Sequence, residues 1–153
     1  MARSKWTDKR FKAEADKLFS RLIRSRGFCE RCGATANLQT SHIFSRRFAW
    51  TRTDLSNALC LCAACHRWWH DHPTETKELA VSVIGVDEYE RINQARQRRE
   101  KFDWESEWAR LDELWCEGEW MGVRCLNCSR LVSFDGLVDG KCGDGCGWKE
   151  TSE

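Results

Sequence analysis

Eight of the ten cysteines fall into four close pairs, Cys29/Cys32, Cys62/Cys65, Cys125/Cys128 and Cys142/Cys146, leaving Cys60 and Cys116 without a partner at ligand spacing. A pair separated by two or three residues bends two thiolates onto one ion, and two such knuckles complete a tetrahedral four-thiolate zinc site. Disulfides are the alternative for a cysteine-rich chain. The Met1-Ala2-Arg3-Ser4 start has no apolar signal-peptide core, which favours metal. The expectation is two structural zinc ions, one held by Cys29, Cys32, Cys62 and Cys65 and one by Cys125, Cys128, Cys142 and Cys146. No apolar run approaches the ~18 residues of a spanning helix, so a soluble protein with no membrane partner is expected.

The net charge of +1 conceals an asymmetry. Residues 1–53 carry 13 Lys/Arg against 4 Asp/Glu, whereas residues 102–123 carry 1 against 7. The basic half is a plausible nucleic-acid footprint, with scattered charge on solvated helix faces as the plain alternative.

From Asp8 to about Ser25 the apolar residues Phe11, Ala15, Leu18, Phe19, Leu22 and Ile23 recur at helical spacing, and Gly27 supplies the stop. Residues 29–66 read as a knuckle, two short strands and their loop, with Leu59-Cys60-Leu61 in the second strand. A helix from Cys65 to Asp71 is expected to stop near Pro73. Residues 76–115 read as helical, broken at Gly85 and restarting at Asp87, with Trp104, Trp108, Leu111 and Trp115 forming one core-facing stripe. From about residue 121 the composition shifts to Gly, Cys and short apolar pieces, marking a separate module.

Between and just after the first two knuckles stand His42, Asn57, His66 and His70, at successive spacings of 15, 9 and 4. With Leu61-Cys62-Ala63-Ala64-Cys65-His66, this constellation resembles the HNH endonuclease family, in particular its zinc-bearing subset, many of them carried by phages. The resemblance covers roughly residues 28–72. It implies a zinc-stapled ββα-metal (His-Me finger) core; with the helices read from apolar spacing on either side and the Cys125/Cys128 and Cys142/Cys146 pairs, which look like a compact C-terminal zinc ribbon, the expected fold is a small α+β one. The division expected is a basic N-terminal helix at 1–28, the nuclease core at 29–75, a helical segment at 76–120 and the ribbon at 121–153.

Phosphodiester hydrolysis needs a base for water and a cation to neutralise charge on the phosphoryl and departing oxygens. His42 is the candidate base, since imidazole titrates near neutral pH. His66 and His70, at i and i+4 on one helical face, are the candidate ligands of a catalytic divalent ion such as Mg2+ or Mn2+, His66 counting also among the catalytic residues. The resemblance gives Asn57 a bracing role across the loop that presents His42. One position departs from the family pattern: where many members place Asp or His before the catalytic histidine, this chain has Ser41, a poor ligand. Ser41 or a water completes the shell, or the catalytic ion is held weakly. His72 beside Pro73 is either drawn into the site or simply exposed.

The loop from Phe44 to Arg52 interleaves basic and aromatic residues, so Arg46, Arg47, Trp50 and Arg52 are the candidate DNA contacts, with Phe48 a second wedge. Without a recognisable major-groove helix, a weak or shape-based sequence preference is expected. In the C-terminal module, Leu131-Val132-Ser133-Phe134 and Leu137-Val138 read as a hairpin around Asp135-Gly136. With 4 Lys/Arg against 5 Asp/Glu in residues 124–153, docking of a phage or host protein is at least as well supported there as DNA binding. The reading is a metal-dependent DNA endonuclease in the cytoplasm of a bacterial or phage-infected cell. Its rival is a non-catalytic zinc-finger adaptor for nucleic acid or protein.

Overall fold

The computed structural model describes residues 6–117 and, beyond them, the backbone of four two-residue strands between residues 123 and 142. It is a small α+β protein, mostly helical, around a two-stranded sheet. Helix α1 (Asp8–Arg24) forms where the apolar period predicts, and Phe11, Ala15, Leu18, Phe19, Leu22 and Ile23 are all buried. Gly27 follows at φ +82°, a left-handed conformation that turns the chain from the helix into the first knuckle.

Strands β1 (Leu38–His42) and β2 (Ala58–Cys62) pair antiparallel, Leu38 opposite Cys62 and His42 opposite Ala58. The 43–57 loop between them contains a short helix α2 (Ala49–Arg52) and a 3-10 turn at Leu55–Asn57. Ala58 and Cys60 of β2 join α1, Leu55, Trp104 and Leu111 in one apolar cluster. Leu59 and Leu61 join Cys29, Trp69, Ala80, Ile84, Tyr89 and Ile92 in another. Buried on both faces, β2 therefore reads as an unbroken apolar run.

Helix α3 (Ala63–Asp71) follows β2 without a loop, so Cys62 ends the strand and Cys65 lies in the first helical turn. Helix α3 stops at Asp71, near Pro73 as expected, and Pro73 itself occupies the first turn of α4 (Pro73–Ile84), where its missing N–H costs nothing, so the next helix starts earlier than the expected 76. Helix α5 (Val86–Ala95) begins directly after Gly85, whose φ of +86° makes the expected break; Gly85 is itself the N-cap, and Asp87, the expected cap, lies in the first helical turn. A second interruption at residues 96–103, which the composition did not reveal, precedes α6 (Trp104–Glu117). Asp103 caps α6, its carboxylate accepting from the Ser106 backbone N–H at 3.1 Å and the Ser106 hydroxyl at 2.7 Å.

Helix α6 packs along α1. Trp104 and Leu111 are buried and Trp108 partly so, but Trp115 is 41% exposed, so the core-facing stripe ends one position short of the expectation.

The end of α1 is locked to β2 by a buried pair. Arg26 donates to the Glu30 carboxylate at 2.8 Å and to the carbonyls of Ala58 at 2.8 Å and Leu55 at 2.7 Å. The same Glu30 oxygen accepts the Cys60 N–H at 2.7 Å.

In the C-terminal module the pairing differs from the expected hairpin. Strand β3 (Val123–Arg124) pairs with β4 (Leu131–Val132), and β5 (Leu137–Val138) pairs with β6 (Lys141–Cys142), so 131–132 turns back on 123–124 across the third cysteine pair. The expected turn at Asp135-Gly136 lies outside the described residues. Cys125, Cys128 and Cys146 lie outside the described residues, and of Cys142 only the backbone is described. Among the described residues no helix is long and apolar enough to cross a membrane.

Candidate active site and metal centre

The first two knuckles converge. All four Sγ atoms of Cys29, Cys32, Cys62 and Cys65 lie within 4.8 Å of one another, and Cys32 and Cys62 are 3.7 Å apart. A tetrahedral four-thiolate zinc site with Zn–S of about 2.3 Å has S···S edges of about 3.8 Å, so the donor set fits that ion with little adjustment. Burial pushes the Cys29 thiol up, but backbone N–H groups of Cys62, Cys32 and Arg31 outweigh it and bring the value down to about 7. Burial pushes Cys65 up to about 12 despite Arg31, whose guanidinium lies 3.4 Å from its sulfur. Four thiols this close cannot ionise together without a cation, and metal binding displaces their protons. Cys60 belongs to the core instead, its thiol pushed up to about 12 chiefly by burial.

A cavity of about 610 Å³ lies between α1, β1, the following loop and α3, lined among others by Asp16, Arg24, Ser41, His42, Arg46, His66 and His70. His42 ends β1, its ring against Phe19 of α1 at 5.2 Å between centroids. Its Nε2 is 2.9 Å from the carbonyl oxygen of Arg52. A carbonyl only accepts, so Nε2 carries the hydrogen and the Nδ1 lone pair is left to accept a proton. Burial lowers the His42 pKa below its ordinary 6.5; the Arg52 carbonyl and Asp16 oppose this, and the charges of Arg46 and Arg52 reinforce it. The balance favours the neutral ring.

On α3 the Nε2 atoms of His66 and His70 stand 3.2 Å apart. At metal–nitrogen distances of about 2.0–2.1 Å that separation subtends about 100° at a shared ion, between octahedral and tetrahedral values. Burial, then the neighbouring His70, lowers the His66 pKa and favours the neutral ligand form. Ser41 is buried and its hydroxyl oxygen has no hydrogen-bond partner among the described residues, an orphaned donor consistent with a direct or water-bridged ligand on that ion. His72 faces elsewhere: its Nδ1 is 2.9 Å from the Trp68 carbonyl and its ring stacks on Trp68.

Asn57 is fully buried and outside the cavity. Its Nδ2 donates to the carbonyls of Thr51 at 2.8 Å and Phe44 at 3.1 Å, and its Oδ1 accepts the Phe44 N–H at 2.8 Å. These bonds tie together the loop that leaves His42.

Of the four candidate DNA contacts, Arg46 and Arg47 are exposed and Arg46 lines the cavity. Arg52 is placed differently. Its Nε and Nη2 donate to the two carboxylate oxygens of Asp16, both at 2.7 Å, and its Nη1 donates to the Arg46 carbonyl at 2.6 Å. Trp50 is also engaged internally, donating from Nε1 to the Glu100 carbonyl at 3.0 Å and meeting Phe102 edge-on.

The contribution of α1 to the site was missed. Asp16, Ser20 and Arg24, spaced four apart, form one wall of the cavity, and the Ser20 hydroxyl is 3.0 Å from that of Thr40 on β1. The sequence signal, a polar stripe at helical period bordering the buried face, was available, but it does not say which strand the stripe meets.

Residues 29–73 match the family model described as HNH endonuclease. Comparison with curated proteins and with solved structures gives no match.

Proposed function

From the HNH endonuclease match of residues 29–73, we propose that this chain is a metal-dependent endonuclease that hydrolyses DNA phosphodiester bonds, with a ββα-metal core formed by β1, β2 and α3. The observation that carries the reading is the shared cavity. His42, whose Nδ1 is left to accept a proton, lines the same cavity as His66 and His70, whose Nε2 atoms stand 3.2 Å apart. When bound by His66 and His70, a divalent cation such as Mg2+ or Mn2+ supplies charge neutralisation at the phosphoryl and departing 3′-oxygens. His42 takes a proton at Nδ1 from the attacking water while the Arg52 carbonyl holds its Nε2–H. The water oxygen bonds to phosphorus and the bond to the 3′-oxygen breaks, its electron pair staying on the 3′-oxygen, which takes a proton from solvent, leaving 5′-phosphate and 3′-hydroxyl ends. Arg46, exposed at the rim, is suited to hold a non-bridging phosphate oxygen, with Arg47 beside it. Asn57 keeps the loop, and so the Arg52 carbonyl, in register with His42.

The four-thiolate centre is a zinc staple. Cys125, Cys128, Cys142 and Cys146 are proposed as a second one in a C-terminal ribbon that docks a phage or host protein. The setting proposed is the cytoplasm of a bacterial or phage-infected cell. The test is incubation of supercoiled plasmid with Mg2+, Mn2+ or Ni2+, comparing the parent with His42→Ala. Metal-dependent nicking by the parent and its loss in the variant are expected. A parent that binds DNA but nicks under none of these ions would favour the non-catalytic adaptor, and Ser41 in place of a stronger ligand would then be the reason.

A further inference from the structure

We propose that the 96–103 connector between α5 and α6 is a second contact surface for the phosphodiester backbone of duplex DNA, outside the cleft. The proposal rests on the nuclease reading and extends it to substrate footprint. This segment carries Arg96, Arg98, Arg99 and Lys101, and residues 97–101 are exposed throughout. It does not stand apart from the site. Arg96 lies 4.9 Å from the Phe44 ring centroid and 5.2 Å from that of Phe48, and Arg98 lies 3.5 Å above Trp50. The Trp50 indole donates to the Glu100 carbonyl. The connector is thereby fastened to the loop that carries Arg46 and Arg47 at the mouth of the cavity.

Part of the charge on this joined surface is compensated, Arg98 pairing with Glu100 at 3.6 Å and Lys101 with Asp8 at 3.3 Å, and part is not. Arg26, Arg52, Arg91 and Arg110 each bind a carboxylate within 2.8 Å. Among the described residues Arg46, Arg47, Arg96 and Arg99 have no carboxylate partner. Arg47 lies 4.6 Å and Arg96 5.2 Å from the centroid of one phenyl ring, so two like charges are held within about 10 Å of each other. Fixing cations side by side costs Coulomb energy unless an anion with repeated charges spans them, and a nucleic-acid backbone supplies such repeats. Stacking explains why Arg96 and Arg98 are arginines with ordered guanidinium planes. Among the described residues it leaves the Arg99 side chain with no ring and no carboxylate to bind.

The test uses the full-length His42→Ala protein, which is meant to bind without cutting, and a labelled 30-base-pair duplex titrated across about 50–300 mM NaCl. Each lost phosphate contact lowers the slope of log affinity against log salt by about 0.9. Adding Arg99→Gln should reduce the slope by about 0.9, and adding Arg96→Gln with Arg99→Gln by about 1.8, with unchanged thermal unfolding for Arg99→Gln. Arg96→Lys with Arg99→Lys should restore the slope, which loss of the ring stacking alone would not allow. An unchanged slope in both Gln variants, or competition by an acidic peptide but not by duplex, overturns the proposal. If the slopes shift as stated and the parent with His42 intact cuts nothing, the nuclease reading fails while the DNA surface stands.

Discussion

Asp16→Asn isolates what α1 does for the candidate base. The substitution keeps the side-chain volume and one acceptor oxygen, but it removes the charge and turns the other position into a donor facing an Arg52 N–H. One of the two 2.7 Å bonds is lost and the other weakens. Hydrogen bonds to charged groups are worth roughly 1.5–3 kcal/mol each, and with the two side chains 15% and 29% exposed the lower end applies, about 1.5 kcal/mol. Thermal unfolding should therefore fall by about 3–6 °C. The kinetic effect follows from the Arg52 carbonyl, which fixes the His42 tautomer: a loosened loop should lower the plateau rate about tenfold, or about 1.4 kcal/mol of barrier. A further consequence has a definite sign. His42 acts as base when neutral, so the rate falls as pH drops through its lowered pKa, and the Asp16 carboxylate is one of the influences holding that pKa up. Removing it should move the acid limb of the pH–rate profile to lower pH even as the plateau falls. The assay is initial nicking of supercoiled plasmid at saturating metal across the acid range. An acid limb that stays in place, with a plateau within twofold of the parent, would refute the coupling from Asp16 through Arg52 to His42.

Four further outcomes are expected. His42→Ala should reduce nicking by about 10²-fold or more while zinc content and far-UV circular dichroism stay as in the parent. Asn57→Ala removes three buried hydrogen bonds and should cost about 2–4 kcal/mol in urea unfolding at constant m-value, since the Phe44 N–H and Thr51 carbonyl lose their partner. Cys62→Ser should lower tightly bound zinc by about one ion per chain, measured by elemental analysis, with loss of cooperative unfolding, because metal-binding energy of this kind is folding energy. Truncation after Glu117 keeps all of α6 against α1 and should preserve metal-dependent nicking within about tenfold.

What was legible in the sequence is what depends on local spacing. The α1 stripe is decided by a 3.6-residue period and a glycine that accepts positive φ. The convergence of Cys29, Cys32, Cys62 and Cys65 follows from two knuckles, each of which shapes its own turn, and the approach of His66 to His70 from one helical turn. Pro73 marks the end of α3 as expected, but it also opens α4 three residues before the expected start at 76, because proline both ends a helix and suits the first turn of the next. The 96–103 interruption contains neither Gly nor Pro; its mark is Asp103 capping Ser106, an easily overlooked start signal inside an acidic stretch. The wall formed by Asp16, Ser20 and Arg24 depends on the angle at which α1 crosses β1, which local spacing does not encode. For the same reason Arg52 looked like a surface cation until its carboxylate partner, 36 residues earlier, was in place.

The lock between Arg26 and Glu30 bears on how such a protein can be inherited and rearranged. The segment that matches the family begins at residue 29, so it takes Glu30 with it and leaves Arg26 behind. Both side chains are almost wholly inaccessible, at 0% and 2% exposure. A recombination breakpoint at the edge of the recognisable motif would therefore carry a buried carboxylate into its new host without its counter-ion, and breaking such a pair costs about 3–5 kcal/mol. That is a large share of the 5–15 kcal/mol by which domains are stable. Shuffling of this motif should succeed where the crossover falls upstream of Arg26, bringing the end of the preceding helix along, or where Glu30 is replaced by an uncharged residue in the same step.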